Sequence, residues 1–119
     1  MDPRARRGSF GEQVAARELA ARGIGVVARN ARTRYGEIDL VCRDASGYVF
    51  VEVKTRRAGS FVASREAADR RKVRRLASLA AAWLAHAGER AAAYRLVIVG
   101  VTLGPGAPKA EVIDVDRVA

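Results

Sequence analysis

Apolar and polar residues alternate with period two twice between positions 36 and 54. In Glu37-Ile38-Asp39-Leu40-Val41-Cys42, alternation puts Glu37, Asp39 and Val41 on one face of a strand and Ile38, Leu40 and Cys42 on the other. In Val49-Phe50-Val51-Glu52-Val53-Lys54, it puts Phe50, Glu52 and Lys54 on one face and the three valines on the other. Between the two runs stands Asp44-Ala45-Ser46-Gly47, a cluster of turn formers. A four-residue loop over 44–47 predicts a hairpin in which Arg43 faces Tyr48. Val41 then faces Phe50, Asp39 faces Glu52 and Glu37 faces Lys54. A slip of one residue would move one strand's polar set to the other face, so the pattern specifies the register.

The rest of the chain reads as follows. Residues 1–7 form a polar, basic, flexible arm. Ser9 caps a helix whose apolar positions include Val14, Ala15, Leu19 and Ala20, and which ends at Arg22-Gly23. Residues 24–28 predict a short strand, and 29–35 a basic loop. Residues 55–61 predict a mobile loop with Phe61 anchoring its end. Residues 64–87 are largely helical, with Asp69 as a cap for a long helix that begins near Arg70. Val73, Leu76, Leu79, Ala80, Trp83 and Leu84 follow helical spacing and form its buried stripe, and Gly88 closes it. Residues 94–103 predict a buried strand, 104–108 a turn, and 110–115 an edge strand. The fold class is α/β: one domain over residues 1–119, with a central mixed sheet of four to five strands, flanking helices and αβββαββ order.

Composition changes this picture in one respect. The chain has 119 residues, enough for a single core, and a net charge of +9. Such a balance favours nucleic acid or another anionic partner. Nineteen of the 22 basic residues are arginine, which genome composition alone can produce. The distribution says more than the total. Net charge is +5 over residues 1–35, −2 over 36–54, +6 over 55–75 and zero over 76–119. An acidic centre is flanked by basic segments, an arrangement that suits gripping a phosphate backbone around a cation. Cys42 is the only cysteine, which excludes an internal disulfide and a thiolate zinc site; it reads as a core residue. His86, the only histidine, reads as a solvent-side or helix-end residue. The apolar stretch from Leu76 to Ala87 is too short to span a membrane, and the N-terminus lacks a secretory apolar region, so a cytoplasmic protein is expected.

Candidate chemistry gathers at the hairpin. Asp39 opposite Glu52 places like charges across a ladder, which destabilises it. Two carboxylates beside Lys54 make sense around a hard cation, since Mg²⁺ takes one or two carboxylates plus waters and phosphate oxygens. The alternative is a solvated Glu37–Lys54 pair with Asp39 and Glu52 simply exposed. Arg29, Arg32, Arg34, Arg56 and Arg57 are candidates for phosphate contacts, with Tyr35 for stacking; solvated loops are the other reading. Arg70, Arg71, Lys72, Arg74 and Arg75 crowd the first turns of the long helix, where cations oppose the macrodipole. A binding role explains the cluster better than stability does. Glu12 favours the dipole of its helix or serves the site.

Asp39, a dozen residues, then Glu52-x-Lys54 on the next strand resembles the PD-(D/E)XK nuclease superfamily with its restriction-endonuclease-like fold. The longer pattern is similar to the YraN family (UPF0102), small bacterial proteins, over roughly residues 8–101. It comprises Gly11-Glu12 with Ala15 and Leu19, Arg29-Asn30, Gly36-Glu37-Ile38-Asp39-Leu40 and Phe50-Val51-Glu52-Val53-Lys54-Thr55-Arg56. The resemblance implies a fold like that of archaeal Holliday-junction resolvases. It also implies a Mg²⁺- or Mn²⁺-dependent endonuclease acting on DNA phosphodiesters, with branched and single-stranded DNA both open. Asp39 and Glu52 would bind the metal, Lys54 would position water and offset charge, and Glu12 and Glu37 would be auxiliary acids. Lys72 matches a lysine typical of the family. Resolvase-like nucleases commonly act as dimers, so a homodimer is allowed, and no membrane partner is expected. One departure stands out: many members carry an aspartate where this chain has Val97. If that aspartate supports catalysis, the chain is a weakened enzyme or a non-catalytic nucleic-acid-binding module; if it is structural, little changes. A scaffold that meets an acidic protein partner is the third reading.

Overall fold

The period-two segments form strands and the period-3.6 segments form helices that cover them. In the computed structural model, which describes residues 3–59 and 70–118, the order is α1 (Pro3–Ala21), β1 (Gly25–Thr33), β2 (Gly36–Asp44), β3 (Gly47–Arg57), α2 (Arg70–His86), β4 (Tyr94–Leu103) and β5 (Lys109–Val118). The strands make one sheet in the order β1-β2-β3-β4-β5. The β3–β4 pair is parallel and the others are antiparallel. A parallel pair needs a crossover, and the segment containing α2 supplies it. The α/β class, the mixed sheet and the αβββαββ order are as the sequence predicts.

The helices cover opposite faces. Ala15, Ala16 and Leu19 of α1 pack on Leu40, Cys42, Val49, Val51, Val97, Val99 and Val101. Leu76, Leu79, Ala80 and Leu84 of α2 pack on Ile38, Val41, Tyr48, Phe50 and Leu96. Trp83 meets Tyr48 and Phe50 edge-on at ring separations of 5.3 and 5.7 Å, which makes it part of this second core, as its spacing predicts. Both helices end alike. The N–H of Ile24 reaches the Leu19 carbonyl and that of Glu89 reaches Leu84, with Gly23 and Gly88 at positive φ. These are Schellman closures at the two predicted glycines.

The predicted hairpin register is present: Val41 pairs with Phe50 and Arg43 with Tyr48. Asp44 also pairs with Gly47, so the turn is the two residues Ala45-Ser46 rather than four. Several boundaries differ from the sequence reading. Helix α1 begins at Pro3, a residue suited to a first helical turn, so residues 3–7 are helical and Ser9 is interior rather than a cap. Strand β1 continues through Arg29 and Arg32, because β2 supplies hydrogen-bond partners to what reads as a polar loop. Strand β3 likewise runs on through Thr55, Arg56 and Arg57, paired with Val101, Thr102 and Leu103 of β4. Strand β5 also exceeds its predicted 110–115 span. Asp69, Phe61 and the predicted helical residues 64–69 lie outside the described residues.

One difference shapes the site. Alternation groups Ile38 with Leu40 and Cys42, yet Ile38 packs under α2 while the other two pack under α1. On β1, Arg29 pairs with Leu40 and Ala31 with Ile38, whereas no pair joins Asn30 to Asp39 between them. Asn30 adopts φ 49°, a left-handed conformation that asparagine tolerates better than most residues. The two strands kink together at Asn30 and Asp39, and the polarity of their faces switches there.

Candidate active site

The kink opens the β2–β3 ladder. Pairing ends at Leu40↔Val51. Continued register would set Ile38 against Val53; instead the Val53 N–H donates to Asp39 Oδ2 at 2.7 Å. The Asp39 carboxylate therefore replaces a backbone acceptor and is fixed by it. Asp39 and Glu52 are not ladder neighbours as predicted, but they meet at the mouth of the opened ladder. They share a recess of about 20 Å³, with room for roughly one water-sized occupant. Glu37, Ile38, Lys72 and Arg75 also line it.

The recess holds negative charge at a cost. Burial raises the pKa of Asp39, the Val53 hydrogen bond opposes that rise, and the Glu52 charge adds to it. Lys54 and Arg75 partly offset these effects. Lys54 Nζ lies 3.5 Å from Glu52 Oε1, with the lysine side chain 43 % exposed and the glutamate 18 % exposed. Among the described residues no ion pair joins Lys54 to Glu37, the predicted cross-strand partner; the opened ladder separates that register.

Glu12 arrives from the other layer. A Cβ at Gly11 would collide with the Thr55 side chain, so glycine lets α1 lie close on β3. Glu12 follows it, in the interior of the helix rather than its first turn. Its pKa is raised by burial and by the Asp39 charge, and lowered by Arg29 and by a hydrogen bond from Asn30. Glu37 acts on it more weakly. Thus Asp39 interacts with Glu12 on one side and Glu52 on the other. Sequence reading did not single out Gly11 as a packing residue or Asn30 as a support; both stood within its motif pairs, Gly11-Glu12 and Arg29-Asn30. Among the described residues, no group of three or more His, Cys, Asp and Glu side chains is close enough to form a metal cluster. Asp39 and Glu52 remain the candidate ligand pair, and two carboxylates are a usual protein share for Mg²⁺.

The basic candidates divide by position. Lys72 and Arg75 sit on the α2 face that lines the recess. Arg70, Arg71 and Arg74 are exposed elsewhere on that helix. Arg29 lies in an open depression with Glu12, Gln13 and Asn30. Arg32 and Arg34 line a separate groove against α2. Arg56 Nε donates to Thr102 Oγ1 at 3.4 Å, and Arg57 is exposed at the strand end; both are strand residues, not loop residues. Cys42 is fully buried, with its thiol pKa pushed up to about 11, as befits a core residue. Val97 is buried beneath α1, on the sheet face opposite the one carrying Phe50 under α2.

The model of an uncharacterised protein family, UPF0102, matches residues 11–101. The chain belongs to the UPF0102 family. A UPF0102 protein of Mycolicibacterium smegmatis is 47% identical over 103 residues, covering 85% of this chain and 83% of that protein. A Mycobacterium bovis BCG member is 44% identical over 104 residues, covering 86% of this chain and 81% of its own length. Among solved structures, the Ca²⁺ complex of Pyrococcus furiosus SfsA aligns with 95% of this chain at 14% identity and TM-score 0.36; this chain spans 63% of that one. No helix among the described residues is long and apolar enough to cross a membrane.

Proposed function

We propose that this UPF0102 protein is a metal-dependent endonuclease that hydrolyses DNA phosphodiester bonds, with its centre at Asp39, Glu52 and Lys54. The observation that carries the reading is the opened ladder. Two carboxylates line one recess where burial and the neighbouring Glu52 charge penalise the charge of Asp39, beside a lysine and facing a basic helix. A chain shaped only for stability would pair these strands to their ends.

The donor set fits a hard cation such as Mg²⁺ or Mn²⁺: hard oxygen donors, a small volume, and negative charge in want of compensation. When bound by Asp39 and Glu52, such an ion supplies Lewis acidity and lowers the pKa of water. The protein's own groups do the rest. The Val53 N–H fixes Asp39 Oδ2, which leaves Oδ1 as the freer oxygen. Lys54, tethered to Glu52, offsets charge on a phosphate and orients the attacking water. Lys72 and Arg75 face the recess from α2 and attract the backbone. Glu12, whose pKa is raised by burial and by the Asp39 charge, stands beside Asp39 as an auxiliary acid.

The non-catalytic reading drew on Val97. That residue lies in the core under α1 and does not line the recess, which favours the catalytic reading. The test is cleavage of labelled single-stranded, duplex and four-way-junction DNA in Mg²⁺, Mn²⁺ or EDTA. Metal-dependent cutting that disappears in Asp39→Ala and Glu52→Ala supports the proposal. DNA binding without cutting, unchanged by either substitution, replaces it with a binding module.

A further inference from the structure

A groove of about 1030 Å³ runs between the β1–β2 hairpin tip and α2. Its floor is apolar, built by Leu79, Ala82, Trp83 and Ala85. Its rim is basic: Arg32 and Arg34 on the hairpin, Arg75 on the helix and Arg90 beyond it. Tyr35 stands at the hairpin tip, 63% exposed, with the Arg34 guanidinium 5.3 Å from its ring centroid. Thr33 stiffens this tip: its hydroxyl donates to the Gly36 carbonyl at 2.8 Å and accepts from the Tyr35 N–H at 3.1 Å. Arg75 and Leu79 line both this groove and the acidic recess, so the two are immediate neighbours.

We propose that this groove binds single-stranded DNA and leads it to the recess. A duplex offers mainly its charged backbone to a protein surface of this size, and its bases are already stacked. An apolar floor and a projecting aromatic ring gain little from it. A single strand offers both phosphates and unstacked base faces. A basic rim with an aromatic platform is the combination that holds it without sequence preference. An arginine plane beside the ring adds a second stacking surface. The phosphate nearest Arg75 lies next to the Asp39–Glu52 pair, so the favoured substrate carries an unpaired segment beside the scissile bond. This last step rests on the nuclease reading; binding in the groove does not.

Trp83, the only tryptophan, lies in the groove floor and reports on it directly. The test titrates oligo(dT), and separately a duplex of equal length, into the full chain in EDTA. Binding is followed by anisotropy of the labelled DNA and by Trp83 emission. Parent protein is expected to bind the single strand with a saturable change in Trp83 emission. Tyr35→Ala, at an exposed tip, weakens single-strand affinity on the order of tenfold and leaves duplex affinity unchanged. The double variant Arg34→Gln/Arg90→Gln weakens single-strand binding too, which guards against a special effect of one substitution. Saturated anisotropy with unchanged Trp83 emission overturns the proposal, as does equal loss for both DNA forms in Tyr35→Ala. Groove binding with the expected Trp83 response, but no cutting when metal is added, supports the groove and sinks the nuclease reading.

Discussion

Asp39 Oδ2 accepts the Val53 N–H at 2.7 Å, in the place where β2 and β3 would otherwise exchange backbone bonds. A side chain has taken over a strand's hydrogen bond, and the strands part around it. The parting makes room for an occupant between Asp39 and Glu52. It also lets Glu12 interact with Asp39 from α1, and Arg75 from α2.

Function and stability oppose one another at this point. Asp39 and Glu12 both have pKa values raised above the ordinary carboxylate range, with burial the main cause. The folded chain then holds these protons more tightly than the unfolded chain. Stability contributed by the neutral forms is present below the unfolded value and is lost as pH rises through the folded one. At pH 7, without metal, Asp39→Asn is therefore expected to raise Tm by about 2–4 °C, and the less buried Glu12→Gln by less. The gain vanishes near pH 3, where the parent's carboxyls are protonated. Calorimetry across pH checks both parts; a lower Tm at pH 7 contradicts them.

Arg95 presents the opposite sign. Its Nη2 lies 2.8 Å from Asp44 Oδ2, and both side chains are largely buried. Its Nε is 3.5 Å from Asp114 Oδ1 but not aligned for a hydrogen bond. The Arg95 hydrogen bond holds the Asp44 carboxyl below its usual range. That stability is present above the unfolded value and is lost as pH falls through the folded one. Arg95→Ala removes a buried partner of Asp44 and is expected to cost about 2–3 kcal/mol in urea unfolding at pH 7, and less at pH 3.

Gly11→Ala pushes a methyl group into Thr55. Helix propensity favours the change by about 1 kcal/mol, while overpacking costs about 1–3 kcal/mol, so a net loss of about 1 kcal/mol is expected. The double variant Gly11→Ala/Thr55→Ser should recover less stability than Gly11→Ala/Thr55→Ala, because the colliding atom is the Thr55 oxygen. Urea unfolding of the set decides it.

DNA binding, if it follows the basic faces, weakens steeply with salt. Arg75→Ala removes one cation next to the recess and is expected to lower the slope of log affinity against log salt by about 1. Arg70→Ala, on an exposed part of the same helix away from the recess, should alter cleavage less than Arg75→Ala does. Equal effects on cleavage would mean that position relative to the recess does not matter.

The sheet was legible because its signals are local. Period-two alternation on both sides of Asp44-Ala45-Ser46-Gly47 specified the hairpin register, and Gly23 and Gly88 marked both helix ends. The candidate residues Asp39, Glu52 and Lys54 came from the same alternation. What it could not reveal was the break in alternation. The left-handed turn at Asn30 and the switch of Ile38 to the other face depend on two strands kinking together, and a periodic pattern assumes neither does. Arg29 and Arg32 on the edge strand β1, and Arg56 and Arg57 at the end of the central strand β3, read as loop because polar strand residues resemble a loop until partner strands are known. The groove beside Tyr35 joins positions about fifty residues apart, and no local signal links them.

The central claim is that the Asp39 carboxylate is retained for chemistry at the expense of stability. The most direct test is the initial rate of DNA cleavage in Mg²⁺ by the parent and by Asp39→Asn, each shown folded by its thermal transition. The amide keeps an oxygen for Val53 and removes only the charge. The account predicts metal-dependent cutting by the parent, and a rate at least 100-fold lower from a variant that is as stable or more so, on the order of the loss when a key electrostatic group is removed. Equal rates from the two proteins, or cutting by the parent that persists in EDTA, would contradict it.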